Sequence, residues 1–179
     1  MVSNIRFSGF GGQGIVLSGY IYGVAAVLDG KRALQTQSYG SESRGGGCRS
    51  DVIISDEEIH ELAPPRLDVL VAMSQAAYET YSPALKEDGI LVLEDDLVEA
   101  GYGSRDRTFR IKATDIAHKK FGRKIMANMV MLGFICAIID AVSKESLERA
   151  IADNVPEGTE AKNQEAFEEG YRIGRGESG

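Results

Sequence analysis

At 179 residues, with 43% hydrophobic and 26% charged residues, the chain fits one domain with a core large enough to stand without disulfides or a structural metal. A net charge of −7 and a pI near 4.9 oppose binding to nucleic acid or an anionic membrane through the overall field. No apolar run approaches a bilayer span, and Met1 leads straight into an apolar segment without the pattern of an export signal.

The elements follow in an alternating order. Ile5, Phe7 and the apolar stretch to Phe10 predict a first strand, broken by Gly9, Gly11, Gly12 and Gly14. A helix from about Ile15 to Leu28 is apolar on nearly every side and is therefore expected to be buried. Its Gly19 and Gly23, four apart, share a face and permit close approach to a sheet or a partner. Asp29-Gly30 ends that helix, Ala33 to Tyr39 predicts a second strand, and Arg49 to Ile54 a third beyond the polar stretch from Gly40 to Gly47. Pro64-Pro65 opens a second half with a strand from Leu67 to Met73, of the continuous apolar kind found in parallel sheets. Ser74 is placed to cap a short helix interrupted at Pro83, and strands follow at Gly89 to Leu93 and Thr108 to Lys112. Helices are expected at Thr114 to Phe121, Asn128 to Val142, Glu145 to Ala152 and Pro156 to Tyr171, with a Gly-rich tail that frays after Ile173. The expected fold is α/β and Rossmann-like: a largely parallel sheet, helices on both faces and helices at the C-terminus. It is expected to form a single domain over residues 1–173, with a flexible tail at 174–179.

Two stretches carry chemistry. Gly9-Phe10-Gly11-Gly12-Gln13-Gly14 has the spacing G-x-G-x-x-G between a strand and a helix, where glycines let backbone amides at the helix N-terminus face a pyrophosphate. A dinucleotide site also needs an acid at the end of the second strand for the ribose hydroxyls. Here Asp29 precedes that strand, and its far end carries Gln37, Ser38 and Tyr39, so a tight strand-to-helix turn is the stronger reading. The second stretch, Gln37 to Arg49, contains Ser38, Ser41, Ser43, Arg44, Arg49 and a run of glycines. Hydroxyls, guanidinium groups and close-approach backbone suit a carboxylate or phosphate. In a sheet wound as expected, this loop leaves the same carboxyl edge as the first glycine turn, where open α/β sheets place ligands.

The opening Phe7 to Leu17, the segment Gln37-Ser38-Tyr39-Gly40 through Glu42-Ser43-Arg44-Gly45-Gly46, and Asn128-Met129-Val130-Met131-Leu132-Gly133 together resemble the gamma subunit of the 2-oxoacid:ferredoxin oxidoreductases. The resemblance spans nearly the whole chain in order and spacing. Ser43 before Arg-Gly-Gly is more similar to the 2-oxoglutarate, pyruvate and 2-oxoisovalerate types than to the indolepyruvate type, whose loop usually carries Gln there. The resemblance implies a heteromeric complex that decarboxylates a 2-oxoacid, passes electrons to ferredoxin and releases an acyl-coenzyme A. Thiamine diphosphate, Mg²⁺ and iron–sulfur clusters are then expected on thiamine-binding alpha and beta subunits and a ferredoxin-like delta subunit, with coenzyme A as co-substrate. Its candidate cofactor-binding residues in this chain are Gly9, Gly11, Gly12, Gln13, Gly14, Ser38, Tyr39, Ser41, Glu42, Ser43, Arg44, Gly45, Gly46 and Asn128, with no catalytic residue and no metal ligand. A free-standing nucleotide-binding or regulatory domain is the alternative.

The remaining residues read as structure. Cys48 and Cys136 are far apart and in no CxxC arrangement, which predicts free thiols in a cytoplasmic protein and leaves too few ligands for a cluster within this chain. Cys136 lies in an apolar run and is expected in the core, and Cys48 reads as a small strand residue although Arg44 and Arg49 are close in sequence. His60 and His118 have no neighbour at metal or triad spacing and read as solvated. The basic segment from Arg105 to Lys124 and the acidic C-terminal part are expected to be solvated faces.

Overall fold

The computed structural model describes residues 2–39, 47–100 and 106–177. The first strand, β1 (Val2–Phe10), sends Ile5 and Phe7 to one face of the sheet, into the main core, while Arg6 and Ser8 belong to the other. Helix α1 (Ile15–Leu28) has no charged residue and buries Ile15, Ile21, Tyr22, Ala25 and Ala26 against that core. It lies directly on the strands beneath it. At Gly19 a Cβ would overlap the Ser50 hydroxyl, and Gly23 has room only for van der Waals contact with Val52 at 3.8 Å, so the small-residue face meets the sheet.

Strands β2 (Arg32–Tyr39) and β3 (Gly47–Ser55) follow, then β4 (Leu67–Ala72) and the short helix α2 (Gln75–Tyr81). The Ser74 hydroxyl caps α2 by accepting from the Ala77 N–H at 3.2 Å, and Pro83 lies in a single 3-10 turn, Ser82–Ala84. Strand β5 (Leu85–Glu94) starts four residues earlier than the apolar run indicated, and β6 (Thr108–Ile111) ends the sheet. The strand order is β2-β3-β1-β4-β5-β6. Strands β1, β4, β5 and β6 run parallel, and β3 is antiparallel to both β1 and β2. Thus β3 alone is reversed, and it separates β2 from β1.

The C-terminal part consists of α3 (Ala113–Phe121), a 3-10 turn at Lys124–Met126, α4 (Ala127–Ile138), α5 (Lys144–Asn154) and α6 (Glu160–Gly174). Two expected boundaries move. Helix α4 stops at Ile138 because Ile139 is extended, yet Ile139, Ala141 and Val142 stay buried, so an apolar run outlasts the helix. Helix α6 starts at Glu160 instead of Pro156, since Pro156 to Thr159 closes a turn in which Gly158 has φ +82° and the Thr159 N–H donates to the Pro156 carbonyl. At its other end Gly176 takes φ +75° and Glu177 N–H bonds the Arg172 carbonyl, a left-handed closure of the helix. Helices α4 and α6 cross in backbone contact: a Cβ on Gly133 would overlap the Phe167 carbonyl, and one on Gly170 the Val130 carbonyl.

Helices cover both faces unequally. The core containing Ile5, Phe7, Val69 and Val92 is roofed by α1, α3 and α4 and backed by α5 and α6. The opposite face holds a smaller cluster of Leu67, Leu70, Leu91, Leu93 and Val98, with Tyr78 and Tyr81 of α2 against it. Much of the basic segment is neutralised within the chain: Arg110 pairs with Asp95, Lys119 with Asp115 and Lys120 with Glu169.

At the edge remote from the glycine turn, Asp29 joins α1 to α5. Its carboxylate accepts from the Ser143 N–H, the Ser143 hydroxyl and the Ser146 hydroxyl, each at 2.6 Å. Partial burial pushes the Asp29 carboxyl up, but the bonds from Ser143 and Ser146 outweigh it and hold the group below its ordinary value. A carboxyl depressed in the folded state adds stability above its unfolded pKa, near ~3.9, and loses it as pH falls through the folded value. Asp29→Asn is expected to cost about 1.5–3 kcal/mol at neutral pH, the scale of hydrogen bonds to a charged group. In urea titrations the gap from wild type should narrow as pH is lowered below about 4; a gap independent of pH would contradict this role.

Candidate functional site

The carboxyl ends of β1, β2 and β4 lie at one edge of the sheet. Phe10 at the end of β1 stands opposite Gly47, and Tyr39 at the end of β2 stands opposite Cys48. The described residues on either side of the serine- and arginine-bearing segment, Tyr39 and Gly47, therefore stand at the edge that carries the glycine turn, Gly47 directly beside it. Ser41, Glu42, Ser43, Arg44, Gly45 and Gly46 themselves lie outside the described residues. Ser38 and Tyr39 lead into the loop and are exposed, Tyr39 at 63%.

Within the glycine turn each residue has a distinct task. Gly9 leaves no room for a side chain, because a Cβ would overlap Gln13 Oε1 and sit 3.2 Å from Met73 Cβ. Gln13 is tied into the scaffold: its Oε1 accepts from the Phe10 N–H at 2.6 Å and its Nε2 donates to the Met73 carbonyl at 2.9 Å. That side chain thus links the ends of β1 and β4 and closes the turn. Gly11 is open to solvent, and Gly12 takes φ +92°. Gly14 takes φ +73° as the residue before α1, where its missing Cβ would collide with the Asn128 side chain. Asn128, in the first turn of α4 and 4% exposed, thus lies over the start of α1.

Beside this turn is a crevice of about 280 Å³ lined by Gly12, Gln13, Met73, Leu97, Thr114, Lys124, Ile125 and Ala127. It opens between β1 and β4, where chain connections diverge and open α/β sheets hold ligands. Burial pushes the Glu94 carboxyl up; its Oε2 accepts from both the Thr114 N–H and hydroxyl, each at 2.9 Å, and so fixes Thr114 at the crevice wall. A second cavity of about 220 Å³ lies behind Asn128, with Arg123 and Lys162 among its lining residues.

The glycines, Gln13 and Asn128 are legible in the sequence; Met73, Leu97, Thr114, Lys124 and Ile125 are not. Lys124 looked like part of a solvated basic face. The available signal was apolar residues beside polar loops: Phe10, Leu97 and Ile125 are 39%, 42% and 49% exposed around this edge. Cys48 is buried and burial pushes its thiol up, contrary to activation by nearby arginines. Cys136 is half-buried against the main core, its thiol pushed up to about 11 chiefly by burial. His60 and His118 are exposed.

The geometry departs from a dinucleotide site in two respects. With β3 interposed, the end of β2 lies two strand spacings, roughly 10 Å, from β1, and Asp29 is engaged with α5 at the opposite edge. What the fold and site define is a Rossmann-like α/β domain whose carboxyl edge presents a glycine turn and an apolar rim. The pyruvate ferredoxin/flavodoxin oxidoreductase family model matches residues 4–173. The chain is 48% identical to the 2-oxoglutarate synthase subunit KorC of Methanocaldococcus jannaschii, over 98% of this chain and 95% of that one. It is 33% identical to the pyruvate synthase subunit PorC of Methanothermobacter marburgensis, over 93% and 94%. The crystal structure of the keto/oxoacid ferredoxin oxidoreductase gamma subunit from Geobacter sulfurreducens superposes with a TM-score of 0.87 at 40% identity, covering 97% of each chain. The chain belongs to this oxidoreductase family, as a subunit of the gamma type.

Gly14→Ala tests the turn. A left-handed backbone costs an alanine about 1–2 kcal/mol, and contact with Asn128 adds to it. Urea denaturation should show Gly14→Ala destabilised by at least that amount, with Asn128→Ala in the same chain recovering only the contact portion. A Gly14→Ala chain as stable as wild type would refute the packing described.

Proposed function

We propose that this chain completes the active-site wall and shapes coenzyme A access in a heteromeric 2-oxoacid:ferredoxin oxidoreductase. In that reaction an oxoacid loses carbon dioxide, two electrons pass to ferredoxin, and the acyl group joins the coenzyme A thiol. Thiamine diphosphate with Mg²⁺ supplies the carbanion chemistry on alpha and beta partner subunits, and iron–sulfur clusters on those or a ferredoxin-like delta subunit carry the electrons. This chain has two cysteines, on β3 and α4, against the four thiolates of a typical cluster. Relatives named as 2-oxoglutarate synthase subunits share 34–48% identity with it, three of them 46–48%, against 33% for the pyruvate synthase subunits, which supports 2-oxoglutarate as the oxoacid. A cytoplasmic complex fits a chain in which no described helix is long and apolar enough to cross a membrane.

The observation that carries this reading is the shared edge: Gly47 pairs with Phe10 and Tyr39 with Cys48, so the described residues on either side of the Arg44 segment stand at the edge that carries the glycine turn. A loop with Arg44 among serines and glycines offers a guanidinium and backbone donors to a phosphate or carboxylate. The alternative, a free-standing nucleotide-binding domain, lacks the ribose-binding acid at the end of β2, where Gln37, Ser38 and Tyr39 stand. One-to-one micromolar binding of NAD⁺ in calorimetry would restore it.

Arg44→Ala in the assembled complex is expected to lower kcat/KM by roughly 10–150-fold, equivalent to about 1.5–3 kcal/mol, with little change in stability. Arg44→Lys should recover only part, since a point charge does not reproduce a bidentate fork. Viologen reduction measured while coenzyme A and oxoacid are varied in turn identifies the ligand by which KM moves. Unchanged kinetics in an intact complex would remove Arg44 from the site.

A further inference from the structure

The two edges of the sheet are treated differently. Strand β6 is four residues long and carries Arg110, and both shortness and charge discourage further pairing. Strand β2 is eight residues long, contains neither proline nor glycine, pairs with β3 in unbroken register, and carries charge only at Arg32. Its outer edge has no partner strand among the described residues. An edge so long and undefended invites strand addition.

Beside that edge α1 exposes an apolar stripe. Tyr20 is 48%, Val27 57% and Leu28 37% exposed, and Val24 lies between them on the same helical face. Stripe and strand enclose a groove of about 260 Å³ that reaches Ala33 and Gln35 of β2. No charged residue occurs anywhere on α1, so a covering surface needs no counter-charge. Ala33, Gln35 and Tyr39 share one face of β2, and the surface therefore continues along the strand to the exposed Tyr39 at the candidate site.

We propose that the α1 stripe and the outer edge of β2 dock another subunit of the same oxidoreductase, which adds a strand to β2 and lays an apolar face on Tyr20, Val24 and Val27. This rests on the reading of the chain as an oxidoreductase subunit. Two observations select that occupant. In the ketoisovalerate oxidoreductase subunit VorA of Methanothermobacter thermautotrophicus, 33% identical over 148 residues, the matched region is 31% of a longer chain. The same domain is there joined covalently to further polypeptide. Second, a chain docked along β2 arrives at the site edge. A second copy pairing antiparallel through β2 would carry its own site edge to the opposite end, where neither copy completes the other.

The test uses the chain co-expressed with the remaining subunits of its oxidoreductase. Val27→Asp and Tyr20→Asp probe the docking face, and Leu62→Asp, at a residue 73% exposed between β3 and β4, serves as control. The isolated variants should melt with wild type. In the complex, each face variant should weaken assembly at least about 30-fold, the scale of an interface hot spot, while Leu62→Asp assembles normally. Amide hydrogen exchange should show the alternate amides of residues 33–39 that face away from β3 protected in the complex and exposed in the free chain. Face variants that assemble like wild type, or β2 amides that exchange equally fast in both states, overturn the docking face alone. A free-chain dimer dissolved by Val27→Asp, with the complex intact, assigns the face to a second copy and also overturns it. A wild-type chain that assembles with none of these subunits overturns both this proposal and the oxidoreductase reading.

Discussion

One buried ion pair holds the unusual part of this sheet in register. Arg6 of β1 and Asp51 of β3 stand directly opposite each other, 7% and 2% exposed, with guanidinium to carboxylate contacts of 2.5 and 2.8 Å. Tyr81 of α2 lies against the guanidinium, 4.8 Å from ring centre to Arg6 Cζ. A one-residue slip of β3 would turn Asp51 to the other face and leave Arg6 buried without its partner, and breaking such a pair costs about 3–5 kcal/mol. The pair therefore selects one alignment among those that strand hydrogen bonding alone would permit.

That alignment decides what the site edge contains. With Arg6 opposite Asp51, Phe10 must meet Gly47, and β3 must begin beside the glycine turn. The reversed strand also moves the end of β2 one position farther from β1, which separates this domain from dinucleotide-binding folds that share its first glycine turn. Gln13 and Asn128 consolidate the difference, one bridging Phe10 to Met73 and the other packed on Gly14. The result is a firm turn bordered by apolar residues. Such an edge suits a domain that presents binding groups to chemistry performed elsewhere.

Much of this was legible in the amino-acid sequence because it rests on local signals. Helix α1 was bounded by a glycine turn and Asp29-Gly30, and α2 by Ser74 and Pro83, so both fell where expected. Boundaries failed where burial and periodicity part company, as at Ile139 to Val142, which remain apolar after α4 has ended. The direction of β3 was not legible, since its pairing depends on Arg6 and Asp51, forty-five positions apart. The crevice residues Met73, Leu97, Thr114 and Lys124 were missed for a related reason. They come from four separate segments that only the strand order brings together.

A gamma-type subunit that contributes a binding edge to a heteromeric oxidoreductase should govern its coenzyme A dependence. The most direct test is coenzyme A-dependent viologen reduction by the oxidoreductase assembled with and without this chain, with 2-oxoglutarate as donor. The chain alone should give no turnover, and saturable coenzyme A dependence should be lost when it is omitted from the others. Unaltered coenzyme A saturation and turnover in its absence would contradict this role.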